Sequence, residues 1–335
     1  MTSLASCVST GHLPDPTRVR VLVDEAHARF ASDTTGTNAD YIPALAQVPD
    51  QLFGICLVGV NGNCYSVGDA AVHFTIQSIS KPFVFGLICQ AIGEDEARLR
   101  LGVNSTGLPF NSVLAVERSG DGLTNPMVNA GAIAATSLAP GDNAEAKWQF
   151  IRDGLSRFAG RTLVLDEEVY RSEAGANRRN TGIATLLHSY ERIYCDPVAA
   201  TDVYTRQCAL RVTARDLAVM AATLANGGVN PVTHEPVVDA IHCQHVLAVM
   251  VTAGLYESSG DWLYATGLPG KSGVSGGMIT VSPGKGGLAT FAPPLDEAGN
   301  SVKGQLVARF LSEQLGLNLF ASRPAPDLTD SGANP

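Results

Sequence analysis

Segments with strand-like patterns lie near both ends of this 335-residue chain, and helical patterns occupy most of the sequence between them. Near the start, apolar runs over 52–60 and 64–67 flank Asn61-Gly62, a dipeptide that strongly favours a hairpin turn. Strand patterns return at 277–281 and 288–291. We therefore predict an α+β fold in which one antiparallel sheet is built from both end segments and is flanked by helices.

The helical patterns begin at Ser78 and continue to about residue 255. The predicted helices cover 145–158, 180–192, 213–226 and 238–254, with others starting near Pro16 and covering 301–315. This distribution predicts two regions. One is a sheet-containing region made of 1–77 plus 256–322, and the other is an inserted, mainly helical domain made of 78–255. The segment 323–335 is rich in Pro, Asp and Ser, and we expect it to be disordered.

A Ser-x-x-Lys motif, Ser78 to Lys81, opens the first helical segment. An apolar run of helical length follows, and its Pro82 would be tolerated in a first helical turn. Residues three apart share one face of a helix, so the two side chains are expected to meet. A serine hydroxyl needs a base at neutral pH, and a lysine whose pKa is lowered by burial can be that base. The motif indicates an activated serine, although Ser78 alone could equally be a helix cap.

A second Ser-x-x-Lys match, Ser282 to Lys285, contains Pro283-Gly284 and is interpreted as a turn. Lys271, one of only five lysines in the chain, opens a Lys-Ser-Gly sequence. Ser-x-x-Lys followed much later by Lys-Ser/Thr-Gly is the pattern of penicillin-recognising serine enzymes and their fold relatives. A sheet built from both ends of the chain would bring Lys271 close to Ser78, so the two motifs could line one cleft.

The sequence around these motifs resembles the serine-dependent glutaminase family over roughly residues 38–310. The matching segments are Asp40 to Pro43, Gln77 to Pro82, Asn125 to Ile133, Ser172-Glu173, Arg179-Asn180, Val219 to Gly228, Gly267 to Pro269, Lys271 to Gly277, Pro293 to Asp296 and Gly299 to Gly304. The resemblance implies a β-lactamase-like fold and hydrolysis of L-glutamine to L-glutamate and ammonia.

The resemblance also implies catalytic roles for three side chains. Ser78 would attack the side-chain carboxamide carbon while Lys81 takes its proton. Tyr256 could relay the proton to the departing ammonia and then activate the deacylating water. Either Lys81 or Tyr256 could be the principal base. The backbone N–H groups of Ser78 and Val274 would form the oxyanion hole.

The amino-acid end of the substrate requires groups that recognise both of its charges. By the resemblance, Glu173 would bind the α-ammonium group. The residues expected around the α-carboxylate are Asn129, Asn180 and Tyr204, with Tyr41 and Gln77 completing the wall of the site. Taken singly, each of these residue types is more often structural than functional. The chain lacks the acidic residues expected between Glu173 and Asn180, which changes the local charge.

Composition limits the partners. A net charge of −9 with a pI near 5.2 argues against nucleic acid and anionic membranes. Seven cysteines without a C-x-x-C pair, and no secretory signal pattern, favour reduced thiols in a cytoplasmic protein. His242 and His245 have a possible metal spacing but no further ligands nearby, so a helix is expected there and no metal or other cofactor. A homodimer or homotetramer is expected by analogy with the family.

Two other functions remain open at this stage. A β-lactamase or penicillin-binding protein would share Ser78, Lys81 and Lys271, but the chain has no Ser-Asp-Asn motif. A non-catalytic amino-acid sensor would keep the pocket, but it would have no need of an activated nucleophile.

Overall fold

The computed structural model of the protein describes residues 11–321, and the segment 323–335 that is expected to be disordered lies outside the described residues. Its strands, in chain order, are β1 (Gly54–Gly59), β2 (Cys64–Gly68), β3 (Phe74–Thr75), β4 (Arg211–Val212), β5 (Gly270–Ser272), β6 (Gly277–Ser282) and β7 (Gly286–Phe291). Five of these strands form one antiparallel sheet in the order β2-β1-β7-β6-β5. The prediction that both end segments build one sheet is therefore confirmed.

Helices cover most of the remaining described chain. They are α1 (Pro16–Phe30), α2 (Pro43–Ala46), α3 (Ser80–Ile92), α4 (Glu94–Leu101), α5 (Leu114–Glu117), α6 (Asn129–Ser137), α7 (Ala144–Ala159), α8 (Glu167–Ala176), α9 (Arg178–Ser189), α10 (Pro197–Cys208), α11 (Ala214–Ala225), α12 (Ala240–Ala253), α13 (Ser259–Thr266) and α14 (Val302–Leu315). All six helices predicted from periodicity are present, with ends that differ by at most three residues. The division into two regions stays a prediction.

Several helix ends follow from local sequence. The side chain of Asp15 accepts a hydrogen bond from the Thr17 amide, and Pro16 occupies the first turn of α1. Thr213 and Asp216 form a reciprocal capping box at the start of α11. The carboxyl end of α14 is closed by Gly316, which has a φ of 63°. These signals explain why the helix ends are predictable to within a turn.

The sheet is buried on both faces. Ile55 and Leu57 of β1 point to the side where α1 and α14 pack, and Cys56 and Val58 point to the side where α11 packs. Because side chains alternate along a strand, a strand covered on both faces is apolar throughout, as the run from 54 to 59 is. The sheet is thus the middle layer between a pair of helices and the large helical region.

Two features of the strands were not predicted. The two-residue strands β3 and β4 pair with each other, Phe74 opposite Val212, and they are too short to show any periodicity. Gly286 and Gly287 lie outside the predicted strand 288–291, but both belong to β7. Glycine occurs in this strand because of packing: α11 crosses the strand so closely that a Cβ built on Gly287 would lie 2.3 Å from the Ala222 nitrogen.

This close approach generates a stability prediction. Gly287→Ala should lower the free energy of unfolding by about 1–3 kcal/mol, since α11 must move away from the sheet to admit the methyl group. Gly182→Ala is the control, because its Cβ would meet nothing within 4 Å in the middle of α9. That change should be neutral or stabilise the fold by up to about 1 kcal/mol. Denaturant-induced unfolding measures both, and equal stability of the two variants would contradict the packing argument.

Candidate functional site

Ser78 lies where the chain passes from β3 into α3. The residues Gln77–Ile79 form one 3₁₀ turn, and Gln77 is held at a φ of 49°, a left-handed conformation that is uncommon for a side chain other than glycine. Two hydrogen bonds hold the turn, because Ser80 Oγ donates to the Gln77 carbonyl at 2.8 Å and Gln207 Nε2 donates to Ser80 Oγ at 2.8 Å. The strained turn directs Ser78 toward a cleft.

Lys81 reaches Ser78 from the first turn of α3. Its Nζ lies 2.9 Å from Ser78 Oγ and 2.7 Å from Asn129 Oδ1. The two side chains therefore meet, as the spacing of the motif predicts. In contrast, the Ser282–Lys285 copy forms the turn between β6 and β7, where Ser282 Oγ and Lys285 Nζ donate to backbone carbonyls of 317 and 316. The interpretation of this second copy as a turn is confirmed.

The side chain of Lys81 is buried, with 1% of the residue exposed. Burial disfavours the charged ammonium and lowers the pKa of Lys81 to about 8, although Cys208 and Glu173 act in the opposite direction. Lys271 is also fully buried, and burial together with the nearby Lys81 lowers its pKa well below the ordinary value. A sizeable fraction of Lys81 is thus a neutral amine near pH 7.5, able to accept a proton.

Tyr256 and Lys271 belong to the same buried group of side chains as Ser78 and Lys81. The Tyr256 hydroxyl interacts with Ser78 and lies 3.5 Å from the Ser272 carbonyl oxygen, and Lys271 Nζ lies 4.2 Å from the centre of the tyrosine ring. Burial raises the pKa of Tyr256 to about 12, partly offset by its hydrogen bonds with Ser78 and Ser272. The hydroxyl is therefore protonated at neutral pH and can donate. The Lys-Ser-Gly sequence and Ser78 belong to one site.

Asn300 joins three segments behind this site, a role that the sequence alone did not reveal. Ser272 Oγ donates to Asn300 Oδ1, and Asn300 Nδ2 donates to Ser258 Oγ at 3.0 Å. Ser258 belongs to the turn that holds Tyr256 at a φ of 58°. The fully buried Asn300 therefore holds both the side chain of Ser272 and the turn that carries the tyrosine.

A cleft of about 260 Å³ opens beside Ser78. The residues that line it are Tyr41, Ile42, Gln77, Ser78, Phe110, Asn111, Asn129, Glu173, Ala176, Asn177, Arg179, Asn180, Tyr204 and Val274. All seven residues predicted to bind substrate are among them. Lys81 and Tyr256 are not among the lining residues, but both interact with Ser78.

Glu173 is the one acidic residue in the cleft wall, and only 8% of it is exposed. Gln77 Nε2 donates to Glu173 Oε2 at 3.2 Å and also to Thr75 Oγ1 at 3.2 Å. Burial raises the pKa of Glu173 to about 7, which the hydrogen bond from Gln77 and the charge of Lys81 partly offset. A buried carboxylate with so little compensation attracts a cation, so this end of the cleft suits an ammonium group.

Asn129 connects the serine end of the cleft to the opposite wall. Its Oδ1 accepts from Lys81 Nζ and, at 3.2 Å, from the Tyr204 hydroxyl, while its Nδ2 donates to Asn180 Oδ1 at 2.9 Å. In its protonated form Lys81 offers only N–H donors, which fixes the orientation of this amide. One hydrogen of the Asn129 Nδ2 group is left for a ligand in the cleft.

The turn between β5 and β6 brings Val274 to the cleft. Gly273 packs against the turn that carries Ser78, since a Cβ on it would lie 3.1 Å from both the Ile76 carbonyl oxygen and Ile79. Gly276 has a φ of 94° and no room for a side chain next to Pro293. These small residues allow the backbone at Val274 to approach the serine closely.

Some lining residues were missed by sequence reasoning. Phe110 and Asn111 lie in an irregular segment with no motif, and the Phe110 ring packs on Tyr256 with centroids 4.9 Å apart. Arg179 donates a hydrogen bond of 2.8 Å to the Asn111 carbonyl. It lies in the segment between Glu173 and Asn180, which lacks the expected acidic residues. The missing acidic residues in this segment were the one sequence feature that could have indicated Arg179 as a cleft residue. Its guanidinium is a cation at the mouth of the cleft.

The two histidines with a possible metal spacing lie outside the cleft. His242 and His245 lie on α12, as predicted, and His242 Nδ1 is 3.4 Å from the Glu94 carboxylate. Within residues 11–321, no group of three or more His, Cys, Asp or Glu side chains is placed to hold a metal ion. Every helix in the same range is too short or too polar to cross a membrane.

Comparison with known proteins links this geometry to one family. A family model described as Glutaminase matches residues 36–320. The chain is 65% identical to Glutaminase 2 of Yersinia pestis over 317 residues, which is 95% of this chain and 93% of that protein. A solved structure titled "Probable glutaminase ybaS" has a TM-score of 0.90 at 47% identity, covering 91% of this chain and 99% of the other. A probable glutaminase from Bacillus subtilis, complexed with 6-diazo-5-oxo-L-norleucine, has a TM-score of 0.80 at 32% identity, covering 91% and 96%.

The two Ser-x-x-Lys copies allow a direct test of reactivity. A phosphonylating reagent for activated serines should label Ser78, at a rate that rises with pH through about 8 as Lys81 becomes a neutral amine. Ser78→Ala should reduce labelling to background, and Ser282→Ala should leave it unchanged. Mass spectrometry locates the label. Labelling at Ser282, or a rate that does not depend on pH between 6.5 and 9, roughly one and a half units below and one above that pKa, would contradict the assignment.

Proposed function

The chain belongs to the glutaminase family, a family of hydrolases, and we propose that it hydrolyses the side-chain amide of L-glutamine to L-glutamate and ammonia. The predicted α+β, β-lactamase-like fold is confirmed by the likeness to solved glutaminases. The observation that carries the proposal is the Ser78–Lys81 contact of 2.9 Å on the wall of a cleft that also holds the buried Glu173. A nucleophile and an ammonium site in one small cleft suit an amino acid with an amide side chain.

In the proposed acylation step, neutral Lys81 takes the proton of Ser78 as the hydroxyl oxygen attacks the carboxamide carbon. Negative charge develops on the amide oxygen, and the backbone N–H groups of Ser78 and Val274 stabilise it. The carbon–nitrogen bond then breaks, ammonia leaves, and a glutamyl ester forms on Ser78. Water hydrolyses the ester to release L-glutamate and restore the serine.

The division of labour between Lys81 and Tyr256 follows from their pKa values. Lys81, with a pKa of about 8, is partly neutral at the pH of the cell, whereas Tyr256, with a pKa of about 12, remains protonated. This supports Lys81 as the base that activates Ser78. Tyr256 then donates its proton to the departing nitrogen, and the proton that Lys81 took from Ser78 is passed on to restore the tyrosine. The interaction of Tyr256 with Ser78 supports this role.

The proposed binding mode places the α-ammonium group of glutamine against Glu173 and its α-carboxylate near Asn129, Asn180 and Tyr204. The ammonium group would stabilise the ionised form of Glu173 and reverse the effect of burial on its pKa. Tyr41 and Gln77 complete the wall. Asn129 contacts Lys81 directly, so binding of the carboxylate also fixes the base.

The rival functions are separated by two assays. A β-lactamase would turn over the chromogenic substrate nitrocefin, and a non-catalytic sensor would bind glutamine without releasing ammonia. The proposal requires ammonia release from L-glutamine and no turnover of nitrocefin. Assembly as a homodimer or homotetramer stays a prediction, as does a cytoplasmic location, and sedimentation velocity measures the assembly.

Removing the nucleophile or its base tests the chemical step. Ser78→Ala should abolish ammonia release while L-glutamate still binds, because the alanine leaves the rest of the cleft in place. Lys81→Ala should lower kcat by about 10²- to 10⁴-fold, the usual contribution of a general base. Coupled-enzyme detection of ammonia and calorimetric titration with glutamate give the two readouts. Turnover by Ser78→Ala would remove this serine from its role.

The charge of Glu173 predicts how KM depends on pH. The carboxylate is ionised above its pKa of about 7, so KM should fall as pH rises through that value. Glu173→Gln should raise KM by about 10- to 100-fold, equivalent to losing one hydrogen bond to a charged group, and should remove this pH dependence. Glu168→Gln, at an exposed carboxylate on the same helix, is the control and should leave KM unchanged. An unchanged KM in Glu173→Gln would place the ammonium group elsewhere.

A further inference from the structure

Two thiols meet on the first hairpin of the sheet. Cys56 lies in β1 and Cys64 is the first residue of β2, and their Sγ atoms are 3.5 Å apart. Cys64 is paired with Val58 in the antiparallel register, so the two cysteines are diagonal neighbours on the same face of the hairpin. Neither thiol lines the cleft, and the proposed reaction uses neither of them.

The two thiols differ in their access to solvent. Cys56 is fully buried among the apolar side chains between the sheet and the helical region. Cys64 is only partly buried and lies on β2, which is an edge strand. A reagent from solution therefore reaches Cys64 first, and it reaches Cys56 only through Cys64.

The surroundings of Cys64 favour its thiolate. The Cys56 thiol hydrogen-bonds to it and lowers its pKa, and the positive charges of Arg215 and Arg20 add to this effect although burial opposes it. Arg20 is held in place, since its guanidinium donates to the backbone carbonyls of Cys64 and Ser66 at 3.3 and 3.2 Å. The same hydrogen bond, together with burial, raises the pKa of Cys56. The thiolate is the reactive form of cysteine, so Cys64, the more accessible of the two thiols, is also the nucleophile.

We propose that Cys56 and Cys64 form a dithiol modification site that reacts with low-molecular-weight disulfides and closes to an intramolecular disulfide. The Cys64 thiolate attacks one sulfur of the oxidant, the oxidant's S–S bond breaks, and one small thiol leaves with a proton. Cys56 then loses its proton and attacks Cys64 Sγ, which releases the second small thiol. Two electrons pass from the protein dithiol to the oxidant, so the exchange is balanced.

The final closure requires the sulfurs to approach from 3.5 Å to about 2.05 Å. Cys64 can supply most of this movement, because it is the first residue of its strand after the turn at Gly62 and lies in a strand that pairs on one side only. Cys195 provides a natural comparison. It is also partly buried, but its Sγ contacts the Asp196 carbonyl oxygen, and burial raises its pKa.

The experiment uses the full-length protein and glutathione disulfide as the probe. After exposure, free thiols are alkylated and the protein is cleaved with chymotrypsin, which cuts after Leu57 and separates the two cysteines. Mass spectrometry without reduction should find the peptides 54–57 and 58–65 linked, with a mass lower by two hydrogen atoms than the sum of the reduced peptides. Cys195→Ser should give the same linked peptides.

Single variants test the order of the two steps. Cys56→Ser should stop at a stable mixed disulfide between Cys64 and glutathione, because the second thiol is missing, and Cys56→Ala should do the same if the serine variant does not fold. Cys64→Ser should leave Cys56 unmodified until the protein is unfolded. If both cysteines of the wild-type protein are still alkylated after treatment with glutathione disulfide, the proposal is overturned. A folded Cys56 variant in which Cys64 carries no glutathione would overturn it as well.

Discussion

The removal of Lys81 from water is the constraint on which the site depends. A buried ammonium is costly, and here the cost is reduced by hydrogen bonds to Ser78 and Asn129 and by a pKa that lets the group lose its proton. The same burial that lowers the pKa of Lys81 raises that of Glu173 to about 7. One dry environment thus prepares a neutral amine beside the serine and a carboxylate ready to receive a positive ligand at the other end of the cleft.

The supporting structure holds this environment through contacts between distant segments. Gln77 contacts Glu173 of α8, Asn129 contacts both Lys81 of α3 and Asn180 of α9, and Asn300 links the Lys-Ser-Gly strand to the turn that carries Tyr256. Gln77, which precedes Ser78, and Tyr256 both keep a left-handed backbone conformation. Backbone strain of this kind persists only where the surrounding contacts hold the residue in that conformation.

Sequence reasoning recovered the parts of this arrangement that have a local cause. Periodicity and caps predicted the long helices, and the three-residue spacing predicted the contact between Ser78 and Lys81. The cleft residues Glu173 and Asn180 came from the family resemblance, since nothing in their immediate sequence distinguishes them from surface residues. The pairing of β3 with β4 joins segments more than one hundred residues apart. The contact of Asn300 with the Lys-Ser-Gly strand joins segments about thirty residues apart. No local sequence pattern predicts contacts over such separations.

The sheet order has a consequence for protein synthesis. β1 pairs with β7, Ile55 opposite Thr290, so β1 cannot find this neighbour until roughly two hundred further residues have been translated. The serine and the lysine of the first motif emerge early, but the turn at Val274 that completes the cleft is translated almost two hundred residues later. A nascent chain therefore carries Ser78 and Lys81 before the turn at Val274 exists, and the cleft that Ser78 and Val274 both line is complete only after that turn has been translated.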